Sequence, residues 1–152
     1  MVEPAPLPSL FGRFTAIFQD HDELGKTLAQ LRKMCAQLEP SSTLSEGLSP
    51  PQLLAQLQED LMAHFAAEES AGYFGIVVAE APELAPQVTA LKWEHLVMLN
   101  TVRQLTKIAR QRRRWLELVT PTLELVAQLE THERAESGLL GRLFRSAASG
   151  ER

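Results

Sequence analysis

The chain has 152 residues, of which 45% are hydrophobic and 22% are charged, and its formal net charge is −4 at pH 7. These values are typical of a single globular domain, exclude a disordered or fibrous chain, and disfavour nucleic acid or an anionic membrane surface as a partner. The single cysteine, Cys35, excludes an intramolecular disulfide. Because no segment resembles a signal peptide or reaches bilayer length, we expect a cytoplasmic protein. Cys35 lies near the end of the first predicted helix, away from its midpoint, and we interpret it as a structural thiol.

Prolines separate the chain into long stretches that lack the alternation of β-strands. Residues 1–8 contain three prolines and are predicted to form a flexible tail. Apolar residues then recur at intervals of three, four or seven from residue 9 to about residue 37, which predicts amphipathic helix 1. After a segment rich in proline and serine, Pro50 and Pro51 open predicted helix 2, which we expect to continue to about Ala79.

Predicted helix 3 follows Pro82 and ends at the basic run of residues 110–114, which we interpret as a solvated helix end. Helix 4 has two possible starts. In the first, Thr120 is the N-cap and Pro121 the first helical residue. In the second, the helix starts earlier, near Trp115, and bends at the proline.

The connections between the predicted helices are short, and short connections favour antiparallel neighbours. Residues 9–146 are therefore predicted to form an all-α, antiparallel up-down-up-down four-helix bundle. Residues 147–152 are expected to be a frayed tail.

Each predicted helix contains one histidine, within a turn or two of its midpoint. Each histidine also interrupts an apolar stripe, so we expect all four side chains to point inward. Residues at mid-helix meet in one layer of an antiparallel bundle, and the imidazoles are therefore predicted to converge. These residues are His21, His64, His95 and His132.

Two of the histidines are followed four residues later by a glutamate, as His64 with Glu68 and His132 with Glu136. The spacing i,i+4 places both groups of each pair on one helix face. Helices 2 and 4 run parallel in the predicted topology, so both carboxylates reach the same point. Four imidazole nitrogens and two carboxylates suit a pair of metal ions that the carboxylates bridge.

A structural interpretation of the same residues is also open. An inward histidine is often a hydrogen-bonded core residue, and a histidine–glutamate pair is often a surface ion pair. Two ionised carboxylates buried without compensation would cost several kcal/mol each, so they require cations. Protonated histidines could supply that charge, and a metal-free helical interaction module therefore remains an alternative.

The ordered set of motifs resembles the hemerythrin-like family of HHE cation-binding domains. The resemblance rests on His21, on HFAAEE at 64–69, on Glu94 with His95, and on HERAE at 132–136. It implies two non-heme iron ions with a bridging solvent oxygen, and manganese is compatible with the same ligands. By that pattern, His21 and His64 bind one iron, His95 and His132 bind the other, and Glu68 and Glu136 bridge both.

The sequence also departs from oxygen-carrying hemerythrins, which have HxxxH on the third helix and HxxxxD on the fourth. Position 99 is Leu99 here and no fifth histidine exists, which disfavours reversible oxygen carriage and leaves open metal positions. Glu69 and Glu94 are the nearest further ligands, although solvent-facing positions are the simpler interpretation for both. Tyr73 lies about 140° around the helix from Glu68 and is not predicted to be a ligand.

The resemblance favours a di-iron protein that binds or senses a small oxidant: dioxygen, nitric oxide or peroxide. A sensor of this kind would signal through a partner protein or through its own stability. The alternative from the same site is an iron-handling or oxidant-reducing enzyme, which differs by consuming oxidant in excess of protein.

Overall fold

The computed structural model describes residues 7–38, 49–70 and 73–149, with side chains described over 21–38, 49–69 and 73–145. The described elements are all helical. Five are α-helices: α1 (Leu7–Gln37), α2 (Pro50–Ser70), α3 (Tyr73–Glu80), α4 (Ala85–Ala109) and α5 (Val119–Ser149). Two short 3₁₀ helices, Pro82–Leu84 and Arg112–Leu118, precede α4 and α5.

The predicted helices correspond to these elements. Predicted helix 2 covers α2 and α3, and residues 71 and 72 between them lie outside the described part of the chain. The 3₁₀ helix Arg112–Leu118 leads directly into α5, which begins at Val119. Residues 115–119 are therefore already helical before Pro121, as the second alternative predicts, with 115–118 in 3₁₀ rather than α conformation. Pro121 lies in the first turn of α5, where a missing backbone N–H breaks no intrahelical hydrogen bond.

The predicted tails fall mostly outside the described residues. Helix α1 already begins at Leu7, and the backbone of α5 is helical as far as Ser149. Residues 1–6 and 150–152 are not described. The tail boundaries therefore stay predictions.

The four long helices pack as a ring in which each contacts two others. Helix α1 contacts α2 and α5, and α4 contacts the same two helices. Helix α3 packs across one part of this ring, against α2, α4 and α5. This arrangement is a helical bundle, and it gives every long helix a buried stripe.

The buried apolar side chains form two clusters. The first apolar cluster contains buried residues from positions 24–38, 53–65, 98–109 and 118–129. The second apolar cluster contains buried residues from positions 73–91 and 139–143. Along α4 and α5, buried histidines and a buried glutamate lie between the residues of one cluster and those of the other. None of the described helices combines the length and the apolar character needed to cross a bilayer.

Candidate metal centre

The bundle interior contains a layer of polar side chains contributed by all four long helices. Helix α1 supplies His21, α2 supplies His64 and Glu68, α4 supplies His95, and α5 supplies His132 and Glu136. Both glutamates are 0% exposed, and three of the histidines are buried. His21 lies nearest the surface, with 13% of its side chain exposed. The structure thus brings together all six residues that the sequence predicted as metal ligands.

The two HxxxE motifs each fold their histidine onto their own glutamate. His64 Nε2 lies 3.0 Å from Glu68 Oε1, and His132 Nε2 lies 2.6 Å from Glu136 Oε1. Both contacts follow from the helix period, which places residues i and i+4 on the same face. The Nε2 atoms of these two histidines therefore face the carboxylates at the bundle centre.

The other two histidines reach the same carboxylates from neighbouring helices. His21 Nε2 lies 3.2 Å from Glu136 Oε2. His95 Nε2 lies 3.6 Å from Glu68 Oε1 and 3.7 Å from Glu136 Oε1. The Nε2 atoms of His95 and His132 are only 3.0 Å apart. All four Nε2 atoms therefore converge on one pair of carboxylates.

The six side chains form two overlapping donor groups. In each group, one donor atom per residue lies within 4.8 Å of the others, which is close enough to surround one metal ion. Both groups include Glu68 and Glu136. The first group adds His21 and His64, and the second group adds His95 and His132.

The residues present fit a pair of bound cations. Both carboxylate oxygens of Glu68 and of Glu136 are buried, and none accepts a hydrogen bond of good geometry from a described residue. Buried carboxylate oxygens of this kind require a proton or a cation. The donor set of imidazole nitrogens and carboxylate oxygens suits iron or manganese and disfavours soft, thiolate-seeking metals.

Aromatic rings enclose the donors on the side of α4. The ring of Phe65 stacks on His95 with a centroid distance of 3.8 Å, and Phe74 lies on His95 at 5.5 Å. The hydroxyl of buried Tyr73 donates a hydrogen bond to the backbone carbonyl of Glu136 at 2.9 Å. The rings of Phe65 and Phe74 therefore cover the imidazole of His95.

Two further carboxylates contact the histidines from outside. Glu94 Oε2 accepts a hydrogen bond from His132 Nδ1 at 2.6 Å, and Glu69 Oε2 lies 3.5 Å from His95 Nδ1. Their side chains are 49% and 40% exposed, so both face solvent as the sequence indicated. The sequence did not predict their contacts with the outer nitrogens. Their position in the chain was the available signal, since each adjoins a motif residue, Glu69 after Glu68 and Glu94 before His95.

The glutamates differ in charge because they have different neighbours. Burial, together with the nearby carboxylates of Glu136 and Glu133, raises the pKa of Glu68 to about 11. Burial acts in the same direction on Glu136, but His132, His21 and His95 outweigh it and hold the pKa of Glu136 well below its usual range. Without metal, Glu68 is therefore protonated and Glu136 is ionised.

The histidines compensate the charge of Glu136. Burial alone would lower the pKa of His132, yet Glu136 and Glu94 raise it above its ordinary value. The pKa of His21 is raised in the same way, against the effect of burial, by Glu136 and Glu133. In the metal-free protein, the protonated imidazoles thus supply the positive charge beside Glu136 that a metal ion would otherwise supply.

Two surface grooves reach the histidine layer. A groove of about 420 Å³ between α4 and α5 has Val97, Met98 and Ala127 in its walls and reaches His132 and Glu94. A groove of about 470 Å³ between α1 and α2 reaches His64. Each donor group therefore has a histidine that lines a groove of its own.

Comparison with known proteins agrees with this geometry. No curated protein and no solved structure matches the chain. The model of the hemerythrin HHE cation-binding domain matches residues 13–143, a span that contains all six residues of the polar layer. The resemblance expected from the motifs is thereby confirmed, and this chain belongs to the hemerythrin HHE cation-binding domain family.

Proposed function

We propose that this protein is a non-heme di-iron protein whose centre binds or senses a small oxidant. His21 and His64 would hold one ion, His95 and His132 the other, and Glu68 and Glu136 both. The observation that supports two ions is that the two donor groups share the same two buried carboxylates. The antiparallel order of the long helices belongs to the same proposal.

The charges of the side chains also favour a pair of cations. Metal binding requires neutral imidazoles and ionised carboxylates, so two ions would displace the protons that the metal-free layer holds. Iron, when bound, supplies a redox-active centre with affinity for dioxygen, nitric oxide or peroxide. Two octahedral ions offer roughly twelve coordination positions in all, which is more than four histidines and two bridging carboxylates fill. Positions therefore remain for such a ligand.

The surroundings of the centre favour a small, weakly polar ligand. The groove between α4 and α5 has mainly apolar walls, and His132 and Glu94 are among its polar lining residues. The rings of Phe65 and Phe74 stack on His95 and so cover one side of the polar layer. A molecule the size of dioxygen could approach along this groove, whereas a large substrate would have to displace the packed rings.

The test is metal analysis of the full-length protein after anaerobic reconstitution with ferrous iron. We expect about two irons per chain in the wild type and loss of iron in the double variant Glu68→Ala, Glu136→Ala. The matched control is Glu59→Ala, Glu124→Ala, which removes one exposed glutamate from α2 and one from α5. Absence of iron from the wild type, or equal iron in the site variant, would overturn the proposal.

A second measurement separates binding from catalysis. Peroxide or nitric oxide is supplied with a reductant in large excess over loaded protein. Reaction that stops at the stoichiometry of the centre supports a binding or sensing protein, and sustained consumption supports an oxidant-reducing enzyme. A metal-free interaction module would show neither reaction and would stay equally stable after chelation.

A further inference from the structure

His132 is held at both of its ring nitrogens, which distinguishes it from its neighbour His95. Its Nε2 faces Glu136 at 2.6 Å, and its Nδ1 donates a hydrogen bond to Glu94 at the same distance. His95 Nδ1 lies 3.5 Å from Glu69, and among the described residues it has no hydrogen-bond partner. The two histidines of the second donor group are therefore oriented by contacts of different quality.

The contact from Glu94 acts on a ring that belongs to another helix. Glu94 lies on α4 and His132 on α5, so the bond spans the interface between the two helices. An imidazole that donates through Nδ1 to a carboxylate has its proton on that nitrogen, and the lone pair of Nε2 is then directed the opposite way. Here the opposite way is toward Glu136 and the bundle centre.

We propose that Glu94 is a positioning residue of the second donor group. By fixing the tautomer and rotation of His132, it strengthens metal binding at the group that contains His95 and His132, and it leaves the group that contains His21 and His64 unaffected. The two metal ions of the centre are then unequal in affinity because of a residue that binds neither. This inference rests on the proposed function, since it assumes that both groups bind metal.

The expected loss of metal affinity follows from the effect of comparable carboxylates at other metal sites. Loss of a hydrogen bond to a ligating histidine typically weakens metal binding by about 10–100-fold. In Glu94→Ala, one of the two ions should bind about 10–100-fold more weakly while the other keeps its affinity. Glu94→Gln should restore most of the loss, because its amide oxygen still accepts a hydrogen bond from Nδ1–H.

The experiment is a chelator competition on the full chain loaded with ferrous iron under anaerobic conditions. Iron retained per chain is measured against chelator concentration for the wild type, Glu94→Ala and Glu94→Gln, with Glu124→Ala as the exposed-carboxylate control on α5. Unfolding of the metal-free variants shows whether each still folds. Selective weakening of one ion, with rescue by glutamine, supports the assignment of Glu94.

Several outcomes would overturn it. The inference is wrong if Glu94→Ala holds both irons as tightly as the wild type, or loses both to the same degree. It is also wrong if glutamine performs no better than alanine, since the hydrogen bond would then not be the cause. A wild type that binds no iron overturns the proposed function as well, whereas wild-type loading with an unaffected Glu94→Ala overturns only this inference.

Discussion

The two motif glutamates differ in charge in the metal-free protein, and that difference can be tested by the same substitution at both. Glu68 and Glu136 are both 0% exposed, and each follows its motif histidine by one turn. Glutamine has nearly the shape of a protonated glutamic acid but lacks the charge of an ionised one. Glu68→Gln should therefore change little, whereas Glu136→Gln removes the counter-charge of the protonated His21 and His132.

The expected magnitudes follow from the burial of these groups. Removing one member of a buried ion pair destabilises a protein by about 3–5 kcal/mol. We expect the lower end, about 3 kcal/mol, for Glu136→Gln because the histidines can release their protons. For a domain of this length the loss corresponds to a fall in Tm of roughly 6–12 °C. Glu68→Gln keeps its partners and should change the free energy of unfolding by less than about 1 kcal/mol.

The assay is thermal and urea unfolding of both variants in the presence of a chelator, at about pH 6, where imidazoles are still largely charged. Glu59→Gln, an exposed position of α2, is the control for the substitution itself. An equal or larger loss of stability for Glu68→Gln would refute the reasoning, because Glu68 would then not be the protonated glutamate of the pair.

Raising the pH should lower the stability of the metal-free protein and should increase the stabilisation that bound metal provides. Glu68 and His132 have higher pKa values in the folded protein than in the unfolded chain. Without metal, the stability that they contribute is therefore full at a pH below their unfolded-state pKa values, and it is lost as the pH rises toward their folded-state pKa values. Bound metal requires deprotonated ligands, so the difference in Tm between loaded and chelator-treated protein should widen from about pH 6 to pH 8; a constant difference would contradict this. Burial raises the pKa of Cys35 to about 11, so a maleimide should label this thiol only in denaturant, and rapid labelling of native protein would show that the thiol is accessible. Leu129→Ala, at a position that is 0% exposed, should lower the free energy of unfolding by about 2–5 kcal/mol, and Leu123→Ala, at 42% exposed, by less than about 1 kcal/mol. Similar losses in urea unfolding would mean that Leu129 is not a core residue.

The sequence predicted the long helices and the polar layer because both depend on local periodicity. Leucines at helical spacing define the stripes of the bundle, and a histidine within such a stripe must point the same way as the leucines around it. The helix period alone predicts the two i,i+4 contacts, His64 with Glu68 and His132 with Glu136. Convergence across helices needed only their mid-helix positions.

Features that depend on tertiary packing were not predictable in the same way. The hydrogen bond from His132 to Glu94 depends on the separation and rotation of α4 and α5, which the sequence does not specify. A glutamate that is 49% exposed looks like any surface residue until its partner on the next helix is known.

The stacked rings around His95 connect the metal centre to the cooperativity of folding. Phe65 belongs to the first apolar cluster and Phe74 to the second, and the two phenylalanines contact the same imidazole. His95 is therefore a junction through which one half of the core is packed against the other. If bound ions join His95 to Glu68 and Glu136, as proposed, the two halves should unfold in a single transition. Without metal, only hydrogen bonds and ion pairs connect the residues of the polar layer, and each half is freer to open separately.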